Sequence, residues 1–185
     1  MALLSTFIAT QRYAEVTPYI KGNVLELGCQ NSLLLGNSNY NISKYYGVEK
    51  STNLVNKLTK QYPDATFLQR DLDRDTLGLD NIFDCVLMVA LIEHLYNQKF
   101  VFEGVARALK SGGIAAITTP TMLGNDIILP LGASIGLFSK AAVEQHIVVY
   151  SRTRFRNIAK TAGLTLKHHH YFQMFCNQIA ILEKP

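Results

Sequence analysis

VLELGCQNS, residues 24–32, is a short apolar run carrying one acid, Glu26, and closing on Gly28 and a series of small polar residues. The run has the length of a buried strand, and the glycine with the polar residues behind it marks a turn. A strand that hands the chain to a glycine turn is how a ligand loop begins in an open α/β sheet. A dinucleotide fold requires G-x-G-x-x-G at this point. Here Gly28 is followed by Gln30 and Leu33, so the nicotinamide and flavin readings fail at their own fingerprint.

Outward from this strand the hydrophobic period changes over repeatedly. On the amino side, Leu4, Phe7, Ile8 and Gln11 predict an amphipathic helix within an N-terminal helical segment over 1–22, broken by Pro18 and Gly22. On the carboxyl side, "SLLLGNSNYN" offers barely two helical turns, and Tyr45–Val48 reads as a second strand. Ser51 predicts a helix cap, with Leu54, Val55, Leu58 and Tyr62 at helical spacing and Pro63 as the stop. "ATFLQ" reads as a third strand, and "FDCVLMV", Phe83–Val89, as a strand covered on both faces.

Phe102, Val105, Ala106 and Leu109 share a helix face, with Gly112 and Gly113 expected to end that helix. "IAAITT" is a fifth strand, and Ser151 caps a helix carrying Phe155, Ile158, Ala159 and Ala162, which Gly163 closes. "LTLKHHHYF" and "QIAIL" are near enough in sequence to pair as an antiparallel hairpin. The fold class is therefore α/β, a doubly wound, Rossmann-like, mostly parallel sheet with a C-terminal antiparallel hairpin and helices on both faces.

The 185 residues, 48% apolar, suit one well-filled core, so a single domain over 1–185 is expected. The net charge of +4 comes from scattered lysines and arginines without a polybasic block, which permits anionic partners without requiring them. Cys29, Cys85 and Cys176 share no CxxC spacing, and a reducing, cytoplasmic setting fits them. The N-terminus lacks the basic n-region of a signal peptide. The least polar stretch, Ile127–Phe138, contains Pro130 and two glycines and falls well short of the roughly 20 residues of a spanning helix, so no transmembrane segment is expected.

Ligands in such sheets bind beyond the carboxyl ends of the parallel strands, which directs attention to Gly28–Ser32, Glu49, Asp71, Val89–His94 and Thr118–Thr121. Taken in order, "VLELGCQNS", "YYGVEKS", "FLQRDLD", "FDCVLMVALIEHL", "ALKSGGIAAITTP" and "HIVVYSRTRFRNIAKTAGL" resemble the successive motifs of class I S-adenosylmethionine-dependent methyltransferases. The resemblance spans about residues 14–183 and implies a seven-stranded sheet with its last strand antiparallel.

The resemblance also implies roles. Glu26 matches the acid facing the methionine end of the cofactor, and Gly28 the glycine that lets the backbone approach it. Gln30 and Ser32 stand at the second and third glycine positions of the family loop, where Gln30 either swings outward or donates its amide. Glu49, with Lys50 beside it, matches the acid that accepts the ribose hydroxyls. Asp71 and the Leu72 backbone match the adenine site, and Met88 and Val89 lie near the methionine moiety.

On the acceptor side, His94 follows the fourth strand as a candidate base, with Glu93 beside it and His146 over the acceptor pocket. The plainer readings are that Glu93 and His94 open or cap the next helix and that His146 sits in a surface loop. Some RNA 2′-O-methyltransferases hold a metal with Glu-x-x-Glu-His and a later histidine. Ala90 occupies the first glutamate position here, so no metal is expected. His168 and His170 are expected on the face of Leu164 and Leu166, with His169 opposite, as a sheet-edge cluster.

The apolar segment over 120–150 is expected to be an acceptor-side insertion or lid. It favours a small apolar or aromatic acceptor over a nucleic acid. The alternatives are a non-catalytic binding or scaffold protein with a degenerate glycine loop, and an RNA methyltransferase.

Overall fold

The structure, a computed structural model, describes residues 3–30, 33–35, 40–124 and 147–185. Helix α1 (Leu3–Val16) runs into a 3₁₀ turn at Thr17–Tyr19, and strand β1 (Lys21–Leu27) follows. The N-terminal helical segment thus stops short of residue 22, because Lys21 and Gly22 already pair with Asn41 and Ile42 of the next strand. Val24 to Leu27 are all buried, which explains why the run is apolar without alternation: both faces of the strand are covered.

The remaining strands are β2 (Asn41–Glu49), β3 (Thr66–Gln69), β4 (Phe83–Val89), β5 (Leu109–Pro120), β6 (Thr165–Phe172) and β7 (Asn177–Glu183). Their order is β3-β2-β1-β4-β5-β7-β6. The pairings from β3 through β5 are parallel, and β7 runs antiparallel to both β5 and β6. This is the doubly wound sheet with a terminal hairpin that the alternating periods predict.

Among the described residues, helices α2 (Thr52–Gln61), α3 (Gln98–Ala108) and α4 (Arg152–Thr161) join α1 in covering the sheet. Val16 of α1 packs with Val24, Leu87 and Ile179 on one face of the sheet. Phe102 and Val105 of α3 join Phe155 and Ala159 of α4 against Leu25, Val86 and Ile117 on the other. Each fully buried phenylalanine there contributes about 1.5–3 kcal/mol of apolar burial. Ser51 and Ser151 both cap as expected, their hydroxyls accepting the N–H of Leu54 and of Arg154 at 3.4 and 3.2 Å. Gly163 adopts φ +78° just after α4.

Three local expectations change. Gly112 and Gly113 do not end α3, which stops at Ala108; they lie inside β5. A Cβ on Gly113 would sit 2.8 Å from the Lys110 carbonyl oxygen and 3.0 Å from that of Phe83, so the residue serves the irregular β4–β5 pairing between Phe83 and Cys85. Residues 33–35 of "SLLLGNSNYN" form a turn rather than a helix, with Leu34 buried beneath.

In β6 the pairing slips between Leu166 and His168, which inverts the alternation. His169 therefore shares the side of Leu166, its ring tilted against that of Phe155 at 6.0 Å, while His170 reaches Glu15 of α1 at 2.8 Å.

Candidate active site

Strand order reverses beside β1, whose neighbours β2 and β4 lead the chain away in opposite directions. A cavity of about 560 Å³ opens there, at the carboxyl ends of β1 to β4. That volume lies within the roughly 300–1,000 Å³ of small-molecule sites. Its walls come from Gly28 and Gln30, from Val48–Lys50, from Arg70–Asp73, from Ala90 and Leu91, from His94–Tyr96, and from Ile147.

Gly28 adopts φ +70°, and its N–H donates to the Val48 carbonyl at 2.8 Å. A Cβ there would meet Leu91 Cδ1 at 2.9 Å, so glycine is required by both the backbone angle and the approach of the loop after β4. Gln30 also lies in the left-handed region, at φ +40°, a conformation that favours glycine and costs other residues about 1–2 kcal/mol. Its side chain is exposed and its backbone N–H donates to Glu49 Oε2 at 3.3 Å. Ser32 lies outside the described residues.

Glu49 ends β2 with its carboxylate aimed by the backbone. Its Oε1 accepts the N–H groups of Lys50 and Ser51 at 2.8 and 3.1 Å. Asp71, beyond β3, is bridged by Lys50 Nζ at 3.0 Å. That ammonium, with the Asp73 N–H at 3.2 Å, holds the Asp71 carboxyl below the ordinary carboxylate range. Leu72 is mostly buried along the same wall.

Asp73 is a residue the sequence reading missed. Its Oδ1 accepts the N–H of Tyr96 and of Asn97 at 2.9 and 2.8 Å, tying the loop after β3 to the start of α3 and leaving Tyr96, 80% exposed, on the rim. The "RDLD" spacing carried no hint of that partner, because the contact joins residues 23 positions apart.

Met88 is fully buried in the core and Val89 packs against the α1-side cluster, so neither lines the cavity. The wall beyond β4 is made instead by Ala90, at φ +50°, and Leu91. Glu93 and His94 lie in a 3₁₀ turn, Ile92–His94, ahead of α3, and neither caps that helix, whose N-cap is Asn97.

His94 faces the cavity. Glu93 turns away: it is 2% exposed, its Oε2 accepts the Thr119 hydroxyl at 3.0 Å, and Oε1 finds no partner among the described residues. Burial pushes its pKa up. Its carbonyl accepts the Ile147 N–H at 2.7 Å, so the chain re-enters the described structure directly beside the site. His146, one position earlier, and most of the 120–150 segment lie outside the described residues.

Glu26 is 1% exposed and stands apart from the cavity lining. The hydroxyls of Tyr13 on α1 and Tyr45 on β2 both donate to it at 2.5 Å. Burial raises its pKa to about 7 although both bonds oppose the shift. Tyr13 was also missed, since only the docking of α1 over the sheet brings it to residue 26.

The chain's residues 9–169 match a family described as a methyltransferase domain. A curated relative, trans-aconitate 2-methyltransferase of Rhizobium rhizogenes, is 27% identical over 172 residues, covering 86% of this chain; the chain spans 65% of that relative's length. A solved S-adenosylmethionine-dependent methyltransferase from Mesorhizobium loti shares the fold at TM-score 0.71 and 14% identity, over 95% of this chain and 96% of that one. So does a putative methyltransferase solved in complex with the Trm112 methyltransferase activator of Haloferax volcanii, at TM-score 0.74 and 18% identity, over 96% and 88% of the two chains. With a family match across most of its length and the expected sheet around the expected crevice, the chain belongs to the class I methyltransferases that use S-adenosylmethionine as cofactor.

Proposed function

We propose that the protein methylates a small-molecule acceptor, with the cofactor's nucleoside held in the cavity over β1 to β4. The observation carrying this reading is the Glu49 carboxylate, fixed at a strand end by three backbone N–H groups and open to the cavity, where it accepts ribose hydroxyls. Asp71 and the Leu72 backbone take the adenine edge, and Lys50 shields Asp71 from its acidic neighbours. Gly28 and Gln30 bring main chain against the ligand. Glu26 lies toward the methionine end, with a tyrosine hydroxyl donating to each of its oxygens.

S-adenosylmethionine supplies an electrophilic methyl group, so the protein's work is alignment and the exclusion of water. His94 faces the cavity and takes a proton where the acceptor arrives protonated. Glu93, on the same turn, faces the buried side, where it accepts the Thr119 hydroxyl.

A small acceptor is supported by the relative from Rhizobium rhizogenes, which is named for a small organic acid. The apolar or aromatic character expected from the 120–150 segment rests mainly on residues outside the described structure. The basic cluster at the start of α4 gives little support to a nucleic acid: Arg154 bonds Gln98 at 3.0 Å and stacks over Tyr150 at 5.1 Å. A cytoplasmic setting is supported by the free cysteines, two of them buried. Among the described residues no helix is long and apolar enough to cross a membrane.

Calorimetry with S-adenosylhomocysteine tests the cofactor site: saturable binding is expected, and its absence at millimolar ligand removes the enzymatic reading. In an RNA-binding assay, weak association is expected; tight binding that falls steeply with salt would favour the RNA alternative.

A further inference from the structure

At the carboxyl ends of β4 and β5 and the amino end of β7, under α1, two charged groups lack, among the described residues, the partner that their burial calls for. Arg12 of α1, partly buried, donates its Nε–H and one Nη2–H to the single Oδ1 of Asn177, at 2.9 and 2.7 Å. Asn177 is neutral and buried, and its own amide donates to Gln173 Oε1. No carboxylate among the described residues lies within ion-pair distance of Arg12. Three of its five donors, two of them on the Nη1–Nη2 edge, make no hydrogen bond among the described residues.

The second group is Glu93, whose buried Oε1 has no hydrogen-bond partner among the described residues, nor has the buried Thr118 hydroxyl on β5. Burial lowers the Arg12 pKa, and the Glu93 charge pulls it back up. The two groups thus sense each other without forming a contact pair. A buried cation without a contact counter-ion is costly, and so is a buried carboxylate oxygen without a donor. One ligand that brings an anion to Arg12 and a donor to Glu93 removes both costs.

We infer that the methyl acceptor carries a carboxylate, which docks on the Nη1–Nη2 edge of Arg12, while a hydrogen-bond donor of the same molecule meets Oε1 of Glu93. The inference rests on the small-molecule reading above. A planar carboxylate matches one guanidinium edge bidentately. A phosphate dianion matches less well, because its second charge would face Glu93 with one arginine to balance both.

The test uses the full chain saturated with S-adenosylhomocysteine, titrated calorimetrically at constant ionic strength with succinate and benzoate. Succinamide and benzamide are the uncharged controls. At least one carboxylate is expected to bind, with its amide about tenfold or more weaker. Arg12→Gln is expected to weaken the carboxylate by a similar factor.

Asn177→Asp keeps the shape of the contact but gives Arg12 an internal counter-ion. It is expected to lose the probe about tenfold while retaining S-adenosylhomocysteine, which keeps the test decisive even if Arg12→Gln misfolds. Equal affinity in wild type and Asn177→Asp, equal binding of acid and amide, or no carboxylate binding to the saturated protein overturns the inference alone. Failure to take up S-adenosylhomocysteine at all overturns the cofactor site, and this inference with it.

Discussion

Replacing Glu49 with glutamine tests the cofactor site most directly. The carboxylate has about four acceptor positions. Three are taken by the N–H groups of Lys50, Ser51 and Gln30 at 2.8, 3.1 and 3.3 Å. One is free, and the long Gln30 bond is the one that yields, so two ribose hydroxyls can be accommodated. A hydrogen bond to a charged group contributes roughly 1.5–3 kcal/mol and a neutral one about 0.5–1.5, so neutralising the acceptor costs about 1–1.5 kcal/mol per hydroxyl.

Two hydroxyls give about 2–3 kcal/mol, a Kd for S-adenosylhomocysteine raised roughly 30- to 150-fold. Calorimetry on wild type and Glu49→Gln, with circular dichroism to establish that the fold survives, measures it. A change of less than about threefold in a folded variant refutes the assignment of Glu49 to the ribose.

Gln30→Gly removes a left-handed non-glycine residue and is expected to stabilise the protein by up to about 1 kcal/mol, read as a higher urea midpoint, without loss of cofactor affinity. Asp73→Ala leaves the N–H groups of Tyr96 and Asn97 without their acceptor and is expected to cost about 1–2 kcal/mol in the same assay.

Glu26 gives a pH signature. Its folded pKa of about 7 lies above the ordinary value of 4.5, so the unfolded chain releases that proton first and stability falls as pH rises between the two. Relative to wild type, Glu26→Gln is expected to gain up to about 3 kcal/mol across that interval. Parallel pH profiles of the two urea midpoints would refute a protonated Glu26.

Much of this was determined by local sequence. The continuous apolar runs at 24–27 and 83–89 specify strands buried on both faces, and Ser51 and Ser151 specify helix starts, because each depends on residues within a turn or two. Glu49 and Asp71 were identifiable because a strand end followed by a turn fixes where a side chain emerges in a parallel sheet.

Tertiary packing decided the rest. Gly113 is glycine because β4 and β5 close on it, Glu26 is held by tyrosines from α1 and β2, and Asp73 pins the turn ahead of α3 from a distant loop. Arg12 meets Asn177 across 165 residues of chain. Hydrophobic period and capping act between near neighbours, whereas the partner of a buried polar group is set by which elements the collapsed core brings together.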